Sequence, residues 1–147
     1  MSVEIEAVRE VTDEVVKAFG RLLPQLSRSA PALDVQGIRE LVAFPGNRVL
    51  IARLDGEIVG TLTLVTFPIP TGLRAWVEDV VVDSSARGHG VGAALTRQAV
   101  RLAQADGART VDLTSRPSRA AANRLYERLG FEVRDSKVYR FAVPAED

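Results

Sequence analysis

The chain has 147 residues, 46% of them hydrophobic and 26% charged, which is typical of a soluble globular protein with one buried core. Its 19 basic and 19 acidic side chains cancel, so charge gives no reason to expect a nucleic acid or an anionic membrane as partner. The absence of cysteine and the single histidine exclude a thiol nucleophile, a disulfide framework and a Cys/His metal site.

The N-terminus lacks a signal pattern and no segment reaches the length of a membrane span, so we expect a cytoplasmic protein by default.

The first third of the chain predicts one strand and two helices. Apolar and acidic residues alternate over Val3–Ala7, as in a half-exposed strand. The Thr12 hydroxyl can accept from a first-turn amide, so a helix is expected to begin there, and Pro24 should end or kink it. Asp34 is expected to cap a second helix that stops at Pro45-Gly46.

The hydrophobic period then changes to that of strands. Two strand-like runs, Val49–Leu54 and Glu57–Val65, flank Asp55-Gly56, which is a strong two-residue hairpin turn. A loop is expected at Pro68–Gly72. The following strand, Leu73–Val82, ends in a near-continuous apolar run, which is typical of a central strand.

The second half predicts a parallel crossover followed by a helix and a hairpin. A helix from Val91 to Asp106-Gly107 precedes a short strand, Thr110–Thr114, and a helix between two central strands implies that they are parallel. Ser118 is expected to cap a helix that runs through Leu129, with Gly130 in the C′ position. Two last runs suggest a closing hairpin: Phe131–Arg134 and Lys137–Val143.

The most informative motif is the glycine-rich turn Arg87–Gly92, between the apolar strand and its helix. Glycine has no Cβ, so bare backbone can approach a ligand closely. The amides of such a turn and of the first helical turn point at whatever lies in front, which suits a phosphate or pyrophosphate. The motif therefore predicts a phosphate-bearing cofactor.

The motif can be compared with two known nucleotide-binding turns. Gly88, Gly90 and Ala93 satisfy the dinucleotide fingerprint, and Asp112 follows about 20 residues on, where a ribose-binding acid is expected. However, five residues separate the turn from its strand, and too little chain follows to build a doubly wound sheet. A Walker loop is excluded because no Gly-Lys-Ser/Thr follows.

A different family accounts for more of the chain. Arg87-x-x-Gly90-x-Gly92, after the run Val77–Asp83, resembles the acetyl-CoA motif of the GNAT superfamily of N-acyltransferases. The run Ala122–Phe131 resembles that family's later signature, a helix that carries a tyrosine followed by Gly-Phe. The resemblance implies an α/β fold in one domain over residues 1–147. Its mixed central sheet would have antiparallel N-terminal strands, a splayed parallel pair and flanking helices.

The resemblance also implies the site residues. Tyr126 would be the general acid that protonates the departing thiolate, and Glu78 the base that accepts the amine proton. Asp79 remains the alternative base, because neighbouring strand residues point to opposite faces. His89 is read as a solvent-facing loop residue. The implied acetyl-CoA contacts are Val80, Val81, Val82, Arg87, Gly88, His89, Gly90, Val91, Gly92, Asn123 and Tyr126.

The implied function is acetyl transfer from acetyl-CoA to a primary amine of a small molecule or peptide, by direct attack and without an acyl-enzyme. A homodimer is expected only because proteins of the family that this chain resembles are commonly homodimers. Two alternatives stay open: a non-catalytic CoA-binding or regulatory module, and a nicotinamide-dinucleotide-binding domain.

Overall fold

The structure, a computed structural model, describes residues 2–145. Its contacts divide them into two units, one ending at Thr114 and the other beginning at Ser115, and each is described by itself. The first unit holds strands β1 to β5 and helices α1 to α3. Their bounds are β1 Val3–Ala7, α1 Asp13–Leu26, α2 Val35–Ala43, β2 Asn47–Leu54, β3 Glu57–Ile69, β4 Gly72–Val82, α3 Val91–Ala105 and β5 Thr110–Asp112.

The five strands form one sheet in the order β1-β2-β3-β4-β5. The first three pairs are antiparallel, whereas β4 and β5 are parallel over the short register from Arg74 to Trp76. This confirms the predicted mixed sheet and its single parallel crossover through α3. It also shows that the doubly wound dinucleotide alternative was wrong, because that fold needs a largely parallel sheet.

Each face of the sheet has its own hydrophobic core, because side chains alternate along the strands. The core shared with α3 includes Leu50, Ala52, Leu62, Leu64 and Leu95. The core shared with α1 and α2 includes Phe19, Leu22, Ile38, Val49 and Ile51. Leu22, Ile38, Leu62, Leu64 and Leu95 are completely buried. The two cores hold β4 and α3 in position. The glycine-rich turn lies between these two elements.

The predicted helix starts of this unit are confirmed. The Thr12 hydroxyl accepts from the Val15 amide at 3.3 Å, and Asp34 Oδ1 accepts from the Gly37 amide at 2.7 Å. Pro24 does not end α1, which continues to Leu26. The loop predicted at Pro68–Gly72 is shorter than expected, because β3 and β4 extend into it and leave a two-residue turn at positions 70–71.

In residues 115–145, the second unit contains one helix, α4, which spans Ala120–Arg128. The expectation that Ser118 caps it was wrong: the N-cap residue is Arg119, which makes no side-chain capping bond. The predicted closing hairpin was also wrong, since no strand is found at residues 131–145. Alternating side chains can give a strand an apolar face, but a strand also needs a hydrogen-bonding partner, which alternation does not supply.

Candidate active site

A β-bulge interrupts β4 where the two acidic residues lie. Thr63 pairs with Glu78 and Thr61 with Val81, so one residue of β3 lies opposite two residues of β4. Asp79 lies in this bulge with φ of 49°, in the left-handed region that non-glycine residues rarely occupy. An extra residue of this kind shifts every later side chain to the other face of the strand.

The core contacts of β4 show that shift directly. Before the bulge, Ala75 and Val77 pack in the α3 core. After it, Val80 and Val82 pack against the α3 core, and Val81 packs in the core with α1. The bulge therefore changes which backbone and side-chain groups β4 presents at its C-terminal end.

Because of the bulge, Glu78 and Asp79 need not point to opposite faces of the strand, as was expected. That expectation assumed a regular strand, whereas both side chains are exposed here. Glu78 precedes the bulge and shares the face of β4 that carries Arg74 and Trp76, opposite Val77. Asp79 occupies the left-handed position itself.

One edge of β4 is open beyond the parallel register. Pairing with β5 ends at Trp76, yet β4 continues to Val82. The backbone of Val77–Val82 thus has a strand partner on its β3 side and, within residues 2–145, none on the β5 side. This stretch contains Val80, Val81 and Val82, whose main chain was predicted to face the acyl arm of a cofactor.

The glycine-rich turn leaves an array of amides without partners. Gly88 and Gly90 have φ of 86° and 76°, and a Cβ added to either would meet no atom within 4 Å. Gly90 is the N-cap of α3 and provides no side-chain cap. In the part of the chain that the structure describes, no hydrogen bond is found to the amides of Gly88–Ala93. N–H groups without hydrogen-bond partners at a helix N-terminus are suited to bind an anion.

Hydrogen bonds hold the segment Asp83–Ser85, which directly precedes this turn. The Asp83 amide donates to the Val59 carbonyl at 2.7 Å, and the Ser84 amide donates to Gln25 Oε1 at 3.0 Å. Asp83 Oδ1 accepts from both the amide and the hydroxyl of Ser85 at 3.0 Å. The Ser85 amide is the main reason that the pKa of Asp83 lies below its ordinary value.

These supports were missed by sequence reasoning. The run Asp83-Ser84-Ser85 is a recognisable capping sequence, in which an Asp accepts from amides just after it. Gln25 carries no such signal, because it lies 59 residues from the amide that it binds.

A groove of about 460 Å³ lies beside the turn, on the side of the β2–β3 hairpin. His89, Arg21 and three carboxylates, those of Asp55, Glu57 and Asp83, are among its lining side chains. The carboxylates make this groove a poor site for a phosphate. In residues 2–145, no cluster of three or more His, Cys, Asp or Glu side chains is placed to hold a metal ion.

In the second unit, the end of α4 fixes Tyr126. The Phe131 amide donates to the Tyr126 carbonyl at 3.0 Å, and the Gly130 amide donates to the Glu127 carbonyl at 3.1 Å. This is a Schellman motif, and Gly130 supplies the positive φ of 100° that was predicted for the C′ position. The rings of Tyr126 and Phe131 meet edge to face, with centroids 5.9 Å apart.

Tyr126 is the one buried residue of α4, with 8% of its surface exposed. Asn123 lies one turn earlier, and its Nδ2 atom donates to the Arg116 carbonyl at 3.1 Å. That bond uses one of the two N–H donors of the amide and leaves the other donor and Oδ1 for further partners. Phe131, as the ring partner of Tyr126, is a further contributor that the sequence motif did not assign.

The predicted site residues therefore fall into two sets. In the first unit, Val80–Val82 and Arg87–Gly92 lie at the same end of β4, where the strand edge opens and α3 begins. In the second unit, Asn123 and Tyr126 share one helix. An extended ligand with a diphosphate fits the first set, because unpaired main-chain donors lie next to an unpaired strand edge.

Comparison with known proteins identifies the family. The model of the acetyltransferase (GNAT) family matches residues 12–131. No curated protein sequence matches the chain significantly. Among solved structures, a transcriptional regulator from Bacillus halodurans C-125 is 26% identical, with a TM-score of 0.80 over 96% of this chain and 100% of that one.

An acetyltransferase from Trypanosoma brucei is also 26% identical, with a TM-score of 0.77 over 96% of this chain and 100% of that one. Glucosamine-6-phosphate N-acetyltransferase from Arabidopsis thaliana is 19% identical, with a TM-score of 0.80 over 96% and 99%, and shows the shared fold. None of the helices in residues 2–145 has the length and apolar character needed to cross a bilayer. The glycine-rich turn, the mixed sheet and the family match together establish that the chain belongs to the GNAT family and is an acetyltransferase.

Proposed function

We propose that the protein transfers the acetyl group of acetyl-CoA to a primary amine by direct attack in a ternary complex. The observation that carries the proposal is the array of unpaired amides at Gly88–Ala93, next to the open edge of β4. The donors match a pyrophosphate, and the strand edge matches an arm that carries amide groups of its own.

The main chain does most of the donor binding in this proposal. The pyrophosphate lies on the amides of Arg87, Gly88, His89, Gly90, Val91 and Gly92. The arm runs along the backbone of Val80, Val81 and Val82. The side chains of Arg87 and His89 are exposed; Arg87 adds its charge to the pyrophosphate or stays solvated, and His89 faces solvent. Asn123 contacts the arm through its side-chain amide, which the bond to the Arg116 carbonyl orients.

Glu78 is the proposed base. An ammonium has no lone pair, so the acceptor must lose a proton before its nitrogen attacks the acetyl carbonyl. Glu78 is exposed on the face of β4 that carries Arg74 and Trp76, where its carboxylate can take that proton directly or through water. Asp79 remains the alternative, since its side chain is exposed as well.

Tyr126 is the proposed acid. Acetyl-CoA supplies an electrophilic thioester carbonyl, and the C–S bond breaks as the new C–N bond forms. The departing sulfur is stabilised if the Tyr126 hydroxyl donates its proton or a hydrogen bond. The ring is buried and held against Phe131, which limits the directions that the hydroxyl can take. No residue is required to form an acyl-enzyme.

The acceptor class proposed is a small-molecule or peptide amine. Zero net charge favours neither a strongly basic nor a strongly acidic acceptor. We further propose a single catalytic domain, a cytoplasmic location, with which the absence of cysteine is compatible, and a homodimer. The second candidate is a non-catalytic CoA-binding or regulatory module, because one relative of 26% identity is described as a transcriptional regulator.

Two measurements test the proposal. Calorimetry with CoA and with NAD should show binding of CoA alone. Release of free thiol from acetyl-CoA should then be followed over a panel of primary amines. CoA binding without thiol release for any amine would favour the regulatory module, and failure to bind CoA would overturn both candidates.

Variants test the assigned roles. Tyr126→Phe should lower turnover at least tenfold, about 1.4 kcal/mol of transition-state stabilisation, with little change in CoA affinity. Unchanged turnover would remove Tyr126 from the mechanism. Glu78→Gln should lower the rate most at pH values where the amine is protonated, and Asp79→Asn is its matched control. A larger effect of Asp79→Asn would reassign the base, and an equal loss at every pH would indicate a binding role.

A further inference from the structure

Part of the sheet face that carries Glu78 lies outside the core with α1 and α2. The sheet residues in that core are Val49, Ile51, Ile58 and Val81. This set leaves out the C-terminal half of β3 and the N-terminal half of β4. Leu64, Val77 and Val111 pack in or against the α3 core, so their strand neighbours point to the other face. That face, here called the open face, includes Val65, Phe67, Arg74, Trp76, Glu78 and Asp112.

Three half-buried apolar side chains form the centre of the open face. Trp76 pairs with Val65 in the β3–β4 register, and Phe67 pairs with Arg74. Among residues 2–145, neither hydrophobic core includes Trp76, Val65 or Phe67. Paired strand residues have their Cβ atoms about 5 Å apart, so these side chains form one apolar strip. Such a strip suits the methylene chain of a ligand.

Three charged side chains surround the apolar strip. Arg74 and Glu78 lie two residues before and two residues after Trp76 on β4, and Asp112 pairs with Trp76 from β5. Within the described chain, these three side chains form no salt bridge and no hydrogen bond. Arg74 and Glu78 are exposed, and Asp112 is half-buried. A ligand that supplies the opposite charges at these three points would be held in one orientation.

We propose that the acceptor is a free α,ω-diamino acid, which reacts at its side-chain amine. Glu78 receives the reacting ammonium, and the methylene chain lies on Trp76. Asp112 binds the α-ammonium, and Arg74 binds the α-carboxylate with its planar fork of N–H donors. Arg74 and Asp112 are therefore the residues that determine acceptor specificity.

The spacing of the strands agrees with this ligand. Strand geometry places the Cα atoms of Glu78 and Asp112 about 8 Å apart, from about 3.3 Å per residue along β4 and about 4.8 Å between strands. The two nitrogens of extended ornithine or lysine are about 6–8 Å apart, at bond lengths near 1.5 Å. One diamino acid can thus place an ammonium at each carboxylate.

This inference rests on the proposed acetyl transfer and names its acceptor. Glu78 takes one proton from the side-chain ammonium, and the freed nitrogen forms the C–N bond to the acetyl carbonyl. The C–S bond breaks, and the second proton that the nitrogen loses goes to the departing sulfur. The products are a side-chain amide and the free thiol of CoA. The α-amine is not acetylated, because it stays protonated and paired with Asp112.

A series of acceptors tests the two specificity contacts one at a time. Thiol release from acetyl-CoA is followed with L-ornithine and L-lysine, with lysine amide, which lacks the carboxylate, and with ε-aminocaproate, which lacks the α-amine. The better diamino acid should exceed both analogues in kcat/KM at least tenfold. Equal values, or a higher value for a lysine inside a peptide, would overturn the proposal, because that lysine has neither free α-group.

Variants assign each contact to its residue. Arg74→Gln should remove the difference between lysine and lysine amide, and Asp112→Asn the difference between lysine and ε-aminocaproate. Both should act on KM more than on kcat, since neither side chain contacts the reacting atoms. Arg101→Gln, at an exposed position of α3, is the matched control and should keep both differences. Differences that persist in the first two variants would overturn the assignment.

Calorimetry separates failure of this inference from failure of the proposed function. The diamino acid should bind the complex of the protein with CoA, and Arg74→Gln should weaken that binding at least tenfold. This result without thiol release for any amine would support the assigned ligand and reject acetyl transfer. Thiol release with other amines but no binding of a diamino acid would reject the inference alone. The absence of both binding and thiol release would overturn both.

Discussion

The glycine-rich turn and Tyr126 rest on very different amounts of packing. The turn lies between β4 and α3, whose residues Val91 and Leu95 are 2% and 0% exposed in the α3 core. Tyr126 is the one buried residue of α4, and its described support is the Schellman motif and the Phe131 ring. Main-chain donors can hold an anion only if several amides stay in fixed positions, which a dense core provides. A proton donor requires only one well-directed side chain.

The largest expected effect is a loss of stability in the densely packed region around α3. Leu95→Ala should lower the free energy of unfolding by about 3 kcal/mol, because the residue is completely buried and would leave a cavity. Leu125→Ala, on the half-buried face of α4, should cost only about 1 kcal/mol. Urea denaturation measures both. Equal losses would show that α4 is packed as tightly as α3.

The second prediction separates backbone strain from ligand binding. Gly88 and Gly107 have the same φ of 86°, and a Cβ at either position would meet no atom within 4 Å. Gly88→Ala and Gly107→Ala should therefore both lower stability by about 1–2 kcal/mol.

Only one member of this pair should affect the ligand. Gly88→Ala should weaken CoA binding at least tenfold by calorimetry, about 1.4 kcal/mol, whereas Gly107→Ala, past the other end of α3, should not. A comparable loss of affinity in both variants would mean that strain in α3, rather than the turn, controls binding.

The third prediction tests whether Phe131 supports the action of Tyr126. Phe131→Ala removes an edge-to-face contact of a kind worth about 0.5–1.5 kcal/mol, so turnover should fall about fivefold with little change in the KM for acetyl-CoA. Phe131→Tyr keeps the ring and should restore turnover. If Phe131 acts through Tyr126, the fall should vanish in the Tyr126→Phe background. A fall of the same size there would show that Phe131 acts elsewhere.

The smallest expected effect concerns the turn that precedes the glycines. The pKa of Asp83 is lowered in the folded state, so its ionised form contributes stability at pH values above its unfolded pKa. That contribution is lost as the pH falls through the lowered folded pKa. The wild type should therefore exceed Asp83→Asn in urea midpoint near neutral pH, and the difference should shrink below about pH 4. A constant difference across this range would exclude the Asp83 charge as its cause.

Sequence reasoning succeeded where local chemistry determines the structure. The caps at Thr12 and Asp34, the hairpin turn at Asp55-Gly56 and the positive φ of Gly130 follow from preferences that act within a few residues. The strand–helix–strand order around the glycine-rich turn also followed from periodicity.

Features that depend on tertiary partners could not be predicted. The bulge at Asp79 arises from the pairing of β3 with β4. The alternation of apolar and polar residues in β4 alone gives no signal of it. Gln25 acts on the turn from 59 residues away. The hairpin expected after Phe131 failed for the same reason, since the segment has suitable side chains and no strand partner among residues 2–145.

The unpaired amides at the start of α3 have an evolutionary consequence. An N–H group belongs to every residue type except proline, so most substitutions in this turn leave the donors in place. In the proposed binding mode, recognition of the acyl donor therefore survives long divergence, provided that the left-handed positions Gly88 and Gly90 are kept. Side chains elsewhere are then free to drift toward new acceptors, as expected among relatives that share this fold at 19–26% identity.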